Sequence, residues 1–266
     1  MNSLDVPAQE KPRVTPNLRH AFGGVWQLTF RQYFAPKQWM ILFGPSILLG
    51  LLIVSTVHPG QSTHFYQLLG GFYFAFLVPV LAFISGAGAI RDEIKAADYL
   101  ATRPLPRPAF VVFKFLAHCA CVQLAFLFAL AVLVALGEVR NVADLTSGIL
   151  TLVFAQVLEI AAFVGLGLLS GVLTSRYLLI GLFYGAMIEL GLGAIPTQLS
   201  RLSITHQIQE LIAPVVHKHN FHLGSGEVSS DLTTSGTILL FTLGTVAAAA
   251  VIFRLQELEG SHSREG

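Results

Sequence analysis

Two carboxylates lie inside long apolar runs. Glu159 falls midway along one, three residues after Gln156, and Glu189 falls in the next. A carboxylate within a bilayer is costly, so it faces a partner or a wet cavity. The chemistry open to Gln156, Glu159 and Glu189 is a polar wall of a translocation pathway or a protonatable pair. The bland alternative is an interhelical hydrogen bond. A second cluster, His217, His219 and His222, spells H-x-H-x-x-H. Imidazoles at that spacing suit copper or zinc. They sit beside Gly224 and Gly226 in a loop and lack the H-E-x-x-H helix signature, so no metal is expected there. A third is a charged stretch: seven of the seventeen residues from Arg91 to Arg107 are Asp, Glu, Lys or Arg, after none in the fifty-three from Gln38 to Ile90. Such a loop on so apolar a chain is a candidate docking surface for a soluble partner.

The elements that position these groups follow from composition. The 266 residues are 54% hydrophobic and 12% charged, about half the charge of a soluble chain, and mean hydropathy is +0.68. Charge-free apolar runs of about twenty residues belong in a bilayer, and run length argues for helices over barrel strands. The net charge of +1 and the lack of a basic run give no sign of nucleic-acid binding. Cys119 and Cys121 are too close for a disulfide and too sparse for zinc; both read as small core residues.

The expected fold is therefore an all-α integral membrane protein with six transmembrane helices, about 38–57, 66–90, 109–136, 145–174, 177–195 and 237–253. Residues 1–16 read as a disordered tail without a secretory signal, 17–255 as one transmembrane domain, and 256–266 as a C-terminal tail. With the amino terminus inside, Lys and Arg divide 13 inside to 3 outside (Arg140, Arg201 and Lys218). Both termini are then cytoplasmic.

Two segments should lie on the membrane. Thr15-Pro16 reads as the start of an interfacial helix over 17–36. Its apolar stripe is Leu18, Phe22, Val25, Trp26, Phe30, Tyr33 and Phe34. Outside, Ile204, Ile208, Leu211, Ile212 and Val215 form a second stripe on a short helix before the last span. Small residues fill the fourth and fifth spans. Gly167 and Gly171, four apart, permit close helix contact, read here as packing within one subunit.

Between spans two and three, 92–102 reads as a cytoplasmic helix with acids at its positive dipole end. Pro104, Pro106 and Pro108 stiffen the return. From charge alone this is an ordinary solvated loop. The residues carry a further pattern: Glu93, then a helix, Leu100, Pro104, Arg107, and Lys114 opening the third span. In this pattern the chain resembles the membrane (permease) subunit of type-2 ABC transporters, the exporter class. It departs from the family where Ala97-Asp98-Tyr99 replaces Gly-Thr-Leu and Pro106 replaces Ser. The elbow-like interfacial helix and the six spans match as well, so the resemblance covers most of the chain.

The resemblance implies an ATP-driven exporter in the bacterial inner membrane. A homodimer of permeases would form the substrate path, and two ATP-binding subunits would dock beneath it. The coupling residues would be Arg91, Asp92, Glu93, Asp98, Arg103, Pro104 and Arg107. No lysine lies in a G-x-x-x-x-G-K-[ST] loop. ATP and magnesium are therefore expected on the partner ATPase, this chain is expected to hold no cofactor, and it is not expected to be an enzyme. An intramembrane enzyme or an ion-coupled carrier built on Glu159 and Glu189 is the alternative.

Overall fold

Backbone in an apolar solvent has no water to bond, so it must satisfy itself within each segment. The computed structural model follows that rule. It describes residues 18–35, 39–60, 62–95, 107–142, 148–192, 198–217 and 231–262, and their regular structure is eight helices plus one short 3-10 turn. We number them α1 (Leu18–Tyr33), α2 (Trp39–Thr56), α3 (62–95), α4 (Arg107–Val139), α5 (Ile149–Leu173), α6 (177–192), α7 (Ile204–His217) and α8 (Asp231–His262). Two are not uniform: α3 contains a π-helical stretch, Leu68–Leu77, and α6 ends in another, Gly185–Leu192.

Four helices are long and apolar enough to cross a membrane: Ser62–Arg91, Pro108–Val139, Ile149–Leu173 and Leu232–Leu255. They correspond to the second, third, fourth and sixth expected spans and fit a multi-pass membrane protein. The helices at the first and fifth positions are apolar but shorter, Phe43–Thr56 and Tyr177–Glu189. Pro45 lies inside the first, and the second turns π-helical from Gly185.

At the centre stands α5, which touches α3, α4, α6, α7 and α8. Within the chain 61% of its span is buried, against 33% of the α8 span, so α5 is the interior helix and α8 peripheral. Its closest neighbour is α3, and the reason is glycine. A β-carbon at Gly171 would lie 2.6 Å from the Ala87 carbonyl oxygen; at Gly167 and Gly86 it would overlap the backbone of Phe83 and Val164. The Gly167–Gly171 pair thus packs inside one chain.

Two apolar cores result. The larger, around Tyr66, Phe74, Phe126, Leu152 and Ile212, joins α3, α4, α5 and α7. The smaller joins Val25 of α1 to Ile90, Phe110, Val111, Leu168, Val172 and Phe253 at the opposite end. There α1 is also held by Tyr33, whose hydroxyl hydrogen-bonds Ser85 Oγ and lies 2.9 Å from His118 Nδ1. Burial lifts the Tyr33 phenol above its ordinary range, so it serves as a neutral bridge. The expected α1 stripe divides in two. Val25, Thr29 and Tyr33 face the helices, while Trp26, Phe30 and Phe34 stack in a half-exposed ladder 5.3–5.4 Å apart, the kind of aromatic row that sits at a membrane interface.

The link from α2 to α4 is also built from the backbone outward. At its end α4 has a Schellman motif: Asn141 takes the left-handed conformation (φ 53°), Val142 N–H reaches Gly137 O at 3.1 Å and Asn141 N–H reaches Glu138 O at 2.9 Å. That turn aims Arg140 back at α2, where its guanidinium donates to Val57 O at 3.0 Å and Val54 O at 3.2 Å. These carbonyls have no partner within their own helix end, and a cation suits the negative dipole there. Arg140→Ala should cost about 1–2 kcal/mol, measured as a lower melting temperature in detergent, with Arg140→Lys between it and the native chain.

The charged segment differs from expectation. No separate helix begins at Asp92. Instead α3 runs unbroken to Lys95, which puts Arg91, Asp92 and Glu93 in its last turns. Asp92 and Glu93 therefore continue the second span's helix and do not start a new one. Pro108 does not end a loop; it lies in the first turn of α4, where its missing N–H costs nothing. Ala97, Asp98, Tyr99, Leu100, Arg103, Pro104 and Pro106 lie outside the described residues, as does the 1–16 tail.

Candidate functional site

Gln156, Glu159 and Glu189 lie on α5 and α6, both of which touch α7. One turn apart on α5, Gln156 and Glu159 are both 0% exposed. Facing Gln156 is Tyr73, carried on the π-helical stretch of α3. The Tyr73 hydroxyl donates to Gln156 Oε1 at 2.7 Å and lies 3.0 Å from Phe126 O on α4. This ties three helices together through one phenol. Gln156 Nε2 and both carboxyl oxygens of Glu159 have no hydrogen-bond partner among the described residues. In a dry interior each such group is expensive.

Glu189 has the opposite character. It lies on the π-helical end of α6 and is fully engaged. Its carboxylate accepts from Ser203 Oγ at 2.6 Å, from the Ile204 amide at 3.2 Å and from the Thr205 amide at 3.0 Å. Ser203 is the N-cap of α7, and its own Oγ accepts from the His206 amide at 3.0 Å. The first turn of α7 thus has its orphan donors satisfied by a local serine and a remote glutamate. Glu189 also places its carboxyl group at the positive end of the helix.

The cap decides where α7 lies. Its expected stripe, Ile204, Ile208, Leu211, Ile212 and Val215, is buried against the bundle, on α3, α5 and α8. The helix is therefore packed on the spans through its apolar side. Its polar edge shows a His206–Glu210 pair at 3.3 Å. Beside the cap, between α3 and α6, is a groove of about 330 Å³, lined by Phe76, Pro79, Phe83, Phe163 and Tyr184, with Glu189 at its polar end.

Of the translocation-path residues, the structure brings Gln156 and Glu159 together and sets Glu189 near enough to act on Glu159 as a like charge. It also gives Glu189 a capping role that the sequence does not announce. The coupling residues are seen in part. Arg91, half-buried, Asp92 and Glu93 end α3, and Arg107 opens α4, while Asp98, Arg103 and Pro104 lie outside the described residues. Of the histidine cluster, His217 ends α7, and His219 and His222 lie outside them. Among the described residues no three His, Cys, Asp or Glu side chains are grouped as metal ligands. Cys121 is buried, Cys119 half-buried, and both are free.

Sequence reasoning missed Tyr73, Ser203 and the Tyr33–Ser85–His118 contact. Tyr73 left one signal, a hydroxyl in a charge-free run. Ser203 left another, a capping residue directly before an apolar stripe. Tyr33, Ser85 and His118 are far apart in sequence and left none. Comparison with models of known protein families gives no match, and comparison with the curated proteins gives none either.

Proposed function

We propose that this chain is the permease subunit of an ATP-driven exporter in a bacterial inner membrane. It has six spans, works as a pair with a second copy, and is driven through residues 91–107 by a separate ATP-binding subunit. The observation that carries this reading is the continuity of α3. One unbroken helix runs from the packed interior to Lys95, and its interior part forms the closest helix pair in the chain, with α5. A push on the charged end is delivered along a rigid rod to the central helix. Support also comes from α1, tied to the same end through Val25 and Tyr33.

Purification of the tagged chain from its native membrane in a mild detergent tests the proposal. A MgATP-hydrolysing subunit should co-purify with the unaltered chain. Glu93→Ala should lower the co-purified hydrolysis roughly tenfold, on the order of the loss of one charge-assisted contact across an interface. A native chain that carries no ATPase with it, or a Glu93→Ala variant with full activity, would remove the reading.

A further inference from the structure

We propose that Glu159 and Gln156, with Tyr73, form an intramembrane site for a single monovalent cation, a proton or an alkali ion, closed from outside by α7. This goes beyond the permease reading and does not depend on it.

The argument is one of charge and partners. Glu159 and Gln156 are 0% exposed, and the two oxygens of Glu159 and the amide nitrogen of Gln156 are all unpartnered among the described residues. An ionised carboxylate in an apolar interior must be neutralised by a positive charge within reach. The neighbouring titratable groups supply none. Tyr73, from α3, and Glu189, from α6, are the groups that act on it, the second with the same sign. Above it on α7, His206 and Glu210 pair with each other. Of the titratable groups within the α4 span, Lys114, His118, Cys119 and Cys121 lie toward the opposite end, where His118 meets Tyr33 of α1, and Glu138, in the last turn, carries the same sign as Glu159. Within Leu232–Leu255 of α8 the single ionisable side chain is Arg254, at the far end. Among the described residues, then, none supplies the compensating charge, and solution is its source.

The site also has the right second shell. Tyr73 uses its proton on Gln156 Oε1. That fixes the amide with its nitrogen free to donate one turn from the carboxyl. A bound cation leaves one carboxyl oxygen to accept from such a donor. Access is controlled by α7, which packs on α5 and is anchored by Glu189 through three hydrogen bonds.

The test is labelling with dicyclohexylcarbodiimide, an apolar reagent that attacks a protonated carboxyl and leaves a stable acylurea. The full chain is labelled in its own membranes and the adduct is located by peptide mass spectrometry. Glu159 should be labelled, and Glu159→Gln, with an unchanged melting temperature, should not be. Labelling should fall roughly tenfold or more as rising pH strips the carboxyl of its proton. If sodium ions at constant pH protect Glu159, the occupant is an alkali ion; if only pH matters, it is a proton. Either supports the site. Absence of label on Glu159 at every pH overturns the proposal. So does a yield unaffected by both pH and sodium, which is what an acid used only for packing gives.

Discussion

Gly167→Leu should leave little folded protein after extraction into detergent, and even Gly167→Ala should melt well below the native chain. A β-carbon at 167 meets the carbonyl and carbon of Phe83 and the amide of Ala87. These are backbone atoms of a helix. They cannot rotate away as a side chain would, so the two helices must move apart. The neighbours offer no relief, because Gly86 sits against Val164 and Gly171 against Ala87 in the same seam. Overpacking of this kind costs about 1–3 kcal/mol or more for one added group, and α5 carries contacts to five other helices, so separation there is not local. A loss near 3 kcal/mol corresponds to a drop of roughly 6–12 °C for a chain of this size. Gly244→Ala, on α8 with nothing within 4 Å of the added carbon, is the control and should melt within a degree or two of the native chain. Equal melting of the Gly167 and Gly244 variants would show that the α3–α5 seam is not tight.

Glu189→Ala should free α7 from the bundle at its first turn. Three donors lose their acceptor together: the Ser203 hydroxyl and the amides of Ile204 and Thr205. Hydrogen bonds to a charged group are worth about 1.5–3 kcal/mol each, with a shared loss smaller than the sum. About 4 kcal/mol is the order expected, concentrated on one helix. Glu189→Gln keeps an acceptor oxygen and loses the charge that suits the helix dipole, so it should fall between. Hydrogen exchange reads this locally: the amides of Ile204 and Thr205 should exchange far faster in the alanine variant, while those of α5 keep their protection. Unchanged exchange at both amides would mean that Ser203 alone holds the turn.

What the sequence made legible was the part governed by solvent. Lengths of apolar run located the four long spans to within a few residues, because a bilayer penalises every unpaired backbone group and every charge along them. The Gly167–Gly171 spacing correctly announced a close helix pair within one subunit, since a missing side chain has one geometric use there. Apolar periodicity foretold α1 and α7 but not what they touch. Of the candidate site, Gln156, Glu159 and Glu189 were visible as polar residues in the wrong solvent. Their roles were not. Glu189 pairs with residues fourteen to sixteen positions on, and Tyr73 with one eighty-three away. No local pattern encodes either contact. Arg140 counted in the sequence as a loop charge, whereas its use depends on the turn at Asn141. The helical continuity of α3 through Asp92 and Glu93 was misjudged because charged residues read as a boundary, although they are good helix formers or tolerable in a last turn.

The two wide-wound stretches, Leu68–Leu77 and Gly185–Leu192, carry the residues that grip most firmly, Tyr73 and Glu189. A coil closed by i→i+5 bonds accommodates more residues per revolution than its α counterpart. Rewinding either stretch as an α-helix would turn its phenol or carboxylate about the axis and away from its partners. Each grip therefore depends on the local winding of its own backbone as much as on the residue it holds.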